Sequence, residues 1–140
     1  MIDQITVFLE NDKGRLAALC RTLGDAGISM RALTVADTAN YGIVRIIADT
    51  PVAAKKVLSD KGFRASLTKV YAIEVSNDAG GLAVLLEALD AADINVEYAY
   101  CFVAQEGYAI DILKVDNHDE ADAIITGAGF KIVEPDELYA

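Results

Sequence analysis

The sequence predicts an α+β chain made of two βαββαβ modules in tandem, residues 1–68 and 69–140. Each module is expected to be an antiparallel four-stranded sheet with two helices on one face. Three observations predict this. One short loop occurs twice, as Asn11-Asp12-Lys13-Gly14-Arg15-Leu16 and as Asn77-Asp78-Ala79-Gly80-Gly81-Leu82. Each copy follows an apolar run of strand character and opens a stretch with leucines at helical spacing. The order strand, helix, strand, strand, helix, strand then completes and starts again.

Residues 5–9 alternate and are rich in strand formers. After the first loop, Leu16, Leu19, Cys20, Leu23 and Ala26 lie on one helical stripe. Gly27 is placed to end that helix in a left-handed cap. Residues 28–37 read as a second strand, 38–42 as a turn and 43–48 as a third strand, apolar apart from Arg45. Thr50-Pro51 gives an N-cap followed by proline at the first helical position. The helix carries Ala54, Val57 and Leu58 on one face and stops at Gly62, and Phe63 begins a fourth strand to about residue 67.

The second copy repeats the plan. Residues 71–75 form its first strand, and Leu82, Leu85, Leu86, Leu89 and Ala92 its first helix stripe. Residues 94–103 form its second strand, Gln105-Glu106-Gly107 the turn and residues 108–115 the third strand. Asp116 or Asn117 caps a helix bearing Ala121, Ile124, Ile125 and Ala128, Gly129 ends it, and Phe130 begins a last strand before a polar tail. The segment between copies, residues 66–69, has no Gly or Pro, so the two modules are expected to join rigidly. Tyr98, Tyr100 and Phe102 occupy one strand face and Ala99, Cys101 and Val103 the other. One set must meet the helices, which leaves the other for a second sheet or subunit and favours a homodimer.

Composition sets limits. Hydrophobic residues make up 54% of the chain, enough for a packed core. The net charge of −10 opposes the basic footprint that nucleic-acid binding needs. No apolar run is long enough to span a bilayer, and the first residues lack a secretory pattern, so the cytoplasm is the expected location. Cys20 and Cys101 read as free buried thiols, because no CxxC spacing is present. His118, the one histidine, sits among Asp116, Asn117 and Asp119 as a solvated turn, and no metal or other cofactor is expected.

The duplicated loop is the candidate site. A strand, a glycine-containing turn and a helix N-terminus together form a seat for a small carboxylate. Asp12 and Asp78 are expected as helix N-caps, and Gly14 and Gly80 as positions of close backbone approach. The competing reading of Asn-Asp before a helix is a plain cap.

The loop resembles the Asp-x-x-Gly-x-Leu signature of the ACT domain, in a matching βαββαβ, ferredoxin-like plan. A second family feature, a Gly-Ile/Val-Asn stretch opening the second strand, reads Gly27-Ile28-Ser29 and Asp93-Ile94-Asn95 here. The departures are Lys13 and Ala79, where the family often has proline, and Ser29 in place of asparagine. The resemblance implies a stand-alone, non-enzymatic regulatory or sensor protein that binds an amino acid or similar ligand where two such domains meet.

An α-amino acid would set its carboxylate against the amides of Lys13, Gly14, Arg15 and Leu16, or of Ala79, Gly80, Gly81 and Leu82. Its ammonium would find acceptors on Asn11, Asp12, Asn77, Asp78 or Asn95. Its side chain would lie against Ser29-Met30 or Asn95-Val96 of a neighbouring second strand. Gly80-Gly81 makes the second loop the roomier, while Lys13 or Arg15 suits an acidic ligand in the first. The alternative is a dedicated regulatory subunit of an amino-acid biosynthetic enzyme, such as acetolactate synthase. A small ferredoxin-like enzyme is disfavoured, because no Ser/His/Asp or Cys/His set is in view.

Overall fold

The structure, a computed structural model, describes residues 1–37, 39–105 and 107–139. Thr38 and Glu106, both placed in turns from sequence, and the terminal Ala140 of the tail lie outside the described residues. The elements run β1 (Ile2–Glu10), α1 (Arg15–Asp25), β2 (Met30–Asp37), β3 (Tyr41–Ala48), α2 (Pro51–Asp60), β4 (Arg64–Ser76), α3 (Gly81–Ala91), β5 (Val96–Gln105), β6 (Tyr108–Val115), α4 (His118–Gly127), β7 (Lys131–Ile132) and α5 (Pro135–Leu138).

The chain divides into two compact units: Asp3–Thr68, and Met1–Ile2 together with Lys69–Ala140. In the N-terminal unit the strand order is β2-β3-β1-β4; in the C-terminal unit it is β5-β6-β4, with β7 also paired to β4. The β1–β3, β2–β3, β4–β6, β4–β7 and β5–β6 ladders are antiparallel. Each unit is thus a ferredoxin-like βαββαβ arrangement. The sequence placed two strands at residues 63–67 and 71–75; the structure has one strand, β4, through both. Nothing between them breaks it, since Thr68 and Val70 are strand formers and no glycine or proline intervenes.

The helical faces of the two sheets hold equivalent cores. In the N-terminal unit Ile5, Val7, Val44 and Ile46 pack against Leu19 and Leu23 of α1 and Ala54 and Leu58 of α2. In the C-terminal unit Tyr71, Ile73, Val75, Leu113 and Val115 pack against Leu85 and Leu89 of α3 and Ala121 and Ile125 of α4. The helix stripes are narrower than their sequence pattern. Leu16, Ala26 and Leu82 are exposed, because each stands at a helix end, beyond the strands that cover the central turns.

Register settles which face of β5 lies on the helical side. At this edge strand Ala99 and Cys101 stay exposed, so the Cys101 thiol is not buried as expected, and Cys20 is only half-buried. Ala99 and Cys101 pair with Leu113 and Asp111 on the helical side, while Tyr98, Tyr100 and Phe102 pair with Lys114, Ile112 and Ile110 on the opposite face. Tyr98 and Tyr100 stack there, with ring centroids 6.5 Å apart.

Helix α4 is capped by Asn117, whose side chain accepts from the Glu120 N–H at 3.3 Å. The polar tail is not extended: α5 forms one helical turn, and Glu137 pairs with Lys131 at 2.6 Å. Among the described residues no helix is long and apolar enough to cross a membrane.

The two first helices end alike, with one difference. Gly27 takes φ 71°, and the Ile28 N–H donates to the Leu23 carbonyl at 3.0 Å. In the second copy Asp93 must take φ 59° so that the Ile94 N–H reaches the Leu89 carbonyl at 3.0 Å. A left-handed residue with a side chain is strained, and glycine relieves this at some cost in unfolded-chain entropy. Asp93→Gly should therefore stabilise the protein by about 0.5–1 kcal/mol, read as a rise in urea midpoint at constant slope.

Candidate functional site

The repeated loops close by the same bonds. The Arg15 N–H donates to the Asp12 carbonyl at 3.2 Å, and the Gly81 N–H to the Asp78 carbonyl at 3.0 Å. Gly14 (φ 89°, ψ −10°) and Gly80 (φ 86°, ψ −1°) hold the third position of each turn. This is the type II pattern, which demands positive φ at that position and favours proline just before it. Lys13 and Ala79 occupy the proline-favouring positions.

The geometry corrects the expected caps. The N-cap residues are Gly14 and Gly80, not Asp12 and Asp78, and neither cap makes a side-chain hydrogen bond. Asp12 and Asp78 stand two residues earlier, where their carbonyls accept from the Arg15 and Gly81 N–H groups and close the turn. Both helices consequently begin without the carboxylate or hydroxyl oxygen that normally takes an amide of the first turn. Gly14 and Gly80 are also not sites of crowding: a Cβ on either would meet nothing within 4 Å. They are glycines because of their backbone conformation.

Gly81 is the crowded position. A Cβ there would stand 2.5 Å from the Ser76 carbonyl oxygen. Its counterpart in the first loop is Arg15, which is already engaged within its own unit. Its Nε lies 3.0 Å from Glu10 Oε2, and its guanidinium 4.8 Å from the Phe63 ring centre. The start of each loop is tied to the facing turn, by the Asn11 N–H to the Asn40 carbonyl at 3.1 Å and by the Asn77 N–H to the Gly107 carbonyl at 3.0 Å. The Asp12 N–H donates to the Glu10 carbonyl at 2.8 Å, whereas the Asp78 N–H turns to Ser76 Oγ at 3.1 Å.

A cavity of about 380 Å³ opens at the second loop, lined by Asn77, Asp78, Gly80, Gly81 and Leu82 with Val75, Ser76 and Ala83. It is also lined by residues that sequence reasoning did not assign to the site: Cys101, Ala109 and Asp111. Asp111 is only 4% exposed. Burial pushes its carboxyl above the usual carboxylate range, and a hydrogen bond from the Cys101 side chain partly opposes the shift. The signal was present as one acidic residue inside the apolar run of β6.

The first unit is built differently at the same place. Val7 pairs with Val44 and Val35 with Val44, where Ile73 pairs with Asp111 and Cys101 with Asp111. Valines thus replace the carboxyl and the thiol. The two loops are alike in backbone and unlike in what faces them.

The remaining predicted residues lie elsewhere. Asn95 and Val96 line a second cavity of about 490 Å³ with Asp90, Asp93 and Asp116, beyond the C-terminal end of α3. The Asn95 N–H donates to Asp116 Oδ1 at 3.1 Å. An 11-residue helix, roughly 16 Å long, separates this place from the loop at its start. Exposed Ser29 and Met30 likewise follow the far end of α1. No single unit brings the loop and the start of the second strand together. His118 is exposed at the start of α4, and among the described residues no group of acidic, histidine and cysteine side chains could hold a metal ion.

The family model described as "ACT domain pair" matches residues 1–140. A crystal structure of protein BT0572 from Bacteroides thetaiotaomicron is similar over 98% of this chain and 94% of that one, with 32% identity and a TM-score of 0.92. The ligand-free regulatory subunit of aspartate kinase from Thermus thermophilus shares the fold at 15% identity and TM-score 0.66, covering 91% of this chain and 92% of its own. A structure of aspartokinase alpha and beta subunits is comparable, at 14% identity and TM-score 0.61 over 90% of each chain. No curated protein matches the sequence.

Proposed function

The chain belongs to the ACT domain pair family, and from that premise we propose that it is a non-catalytic regulatory protein. It binds a free amino acid or similar small ligand and acts as the regulatory subunit of an enzyme of amino-acid metabolism. The observation that carries this reading is the pair of glycine-capped helix starts, each left without a side-chain acceptor, one of them opening onto a cavity. Of the amides of residues 13–16 and 79–82, those of Arg15 and Gly81 already close the turns. The others offer the ligand carboxylate a seat, with Asn11, Asp12, Asn77 and Asp78 beside it as acceptors for an ammonium.

The cavity volume lies near the lower end of the roughly 300–1,000 Å³ usual for small-ligand sites. Regulatory subunits of aspartate kinase with the same architecture support the subunit reading over a free-standing sensor. The protein works in the cytoplasm as a homodimer. Each unit leaves apolar side chains exposed on an edge strand, Leu33 and Val35 on β2 in one and Val103 on β5 in the other, which supports pairing with a second copy.

A thermal-shift screen of the twenty free amino acids tests the ligand. At ~100 times Kd the gain in stability is about 2.7 kcal/mol, which is several degrees in Tm for units of this size. If none of the twenty moves the transition, the ligand reading is lost. Recovery of the tagged protein from its own cells without any enzyme of amino-acid metabolism would reject the subunit reading.

A further inference from the structure

We propose that the cavity at the start of α3 holds the primary ammonium group of its ligand on the Asp111 carboxylate, and that the N-terminal unit has no equivalent seat. The proposal deepens the function given above and rests on it.

A carboxyl buried beside an apolar core is costly unless it is neutralised or paired. Asp111 is 4% exposed and shares its face with Ile73, Leu113 and Cys101. Its partner among the described residues is the Cys101 side chain, a single weak donor, whereas a carboxylate accepts through two oxygens. It lines the cavity that also opens at the glycine-capped start of α3. Carboxylate and helix start therefore line the same small cavity. A ligand carrying both an ammonium and a carboxylate matches that pair of groups, and a charge-assisted bond is the strongest contact either can make.

The first unit supplies the comparison within the same chain. Val44 stands where Asp111 does and is fully buried, and Val35 stands where Cys101 does. The fold accepts valine at this position, so the fold does not require an acid there. The carboxyl in the second copy is kept for something outside the core.

Isothermal titration tests this with each free amino acid that binds the wild-type protein, with its N-acetyl form, and with Asp111→Asn. The amide keeps the shape of the side chain and removes its charge. The expected result is a loss of tenfold or more in affinity for Asp111→Asn and a similar loss for the N-acetyl form on the unaltered protein. Unchanged affinity in Asp111→Asn, or equal binding of the N-acetyl form, overturns the proposal while leaving amino-acid binding in place. Failure of all twenty amino acids to bind the wild type removes both readings together. The N-acetyl comparison needs no variant, so it decides the matter even if Asp111→Asn folds poorly.

Discussion

Leu85→Ala is expected to cost about 2–5 kcal/mol of unfolding free energy, the range for emptying a fully packed leucine site. Leu85 has no exposed surface and sits one turn into α3, against Tyr71, Ile73, Val75 and Leu113. The neighbours come from a sheet and a helix already fixed by other contacts, so they can close the void only in part. A domain with a total stability of about 5–15 kcal/mol would lose much of its margin. The same change at Leu19 should cost a similar amount, because it occupies the matching place against Val7 and Val44. Urea unfolding checks both variants. A loss below about 1 kcal/mol for either would contradict the packing described.

Asp111→Val should act in the opposite direction. At pH 7 the variant is expected to be more stable than the parent by about 1–3 kcal/mol, the usual cost of a buried polar group without full compensation. The pH dependence gives the sign. Burial raises the Asp111 carboxyl above its ordinary value of 3.8, so the folded state holds its proton more tightly than the unfolded chain does. Its contribution is most favourable below 3.8 and is lost as pH rises through the folded value. The advantage of valine should thus be largest at neutral pH and shrink in acid. Unfolding titrations at pH 7 and at about pH 4 would show it, and a variant less stable than the parent at pH 7 would refute it. Combined with weaker amino-acid binding, that gain would mark position 111 as one where stability has been given up for function.

The architecture was legible because its signals are repeated and local. Leucines at helical spacing, Gly27 and Gly129 after their helices, and Thr50-Pro51 before another each act within a few residues of where they stand. Duplication let one copy check the other. The helix caps were misread because Asp in such a loop has two uses, as a cap or as the first residue of a turn. The choice between them depends on the backbone of the glycine two positions later. The continuity of β4 depended on an absence, the lack of a breaker between residues 66 and 69. The wall of the cavity was not legible at all. Whether Asp111 faces water or helix is decided by the register of β6 against β4 and β5, a relation between residues far apart in the chain.

The contact between Gly81 and the Ser76 carbonyl has a bearing on how the duplicated halves can exchange parts. Transplanting the first loop onto the second helix would bring an arginine to position 81, where even one methyl group collides with main chain. The reverse graft would put glycine at position 15 and discard the links to Glu10 and Phe63. Although their turns superimpose in form, the repeats are no longer interchangeable segments. Any hybrid must move the strand end, the turn and the first helical residue together as one block.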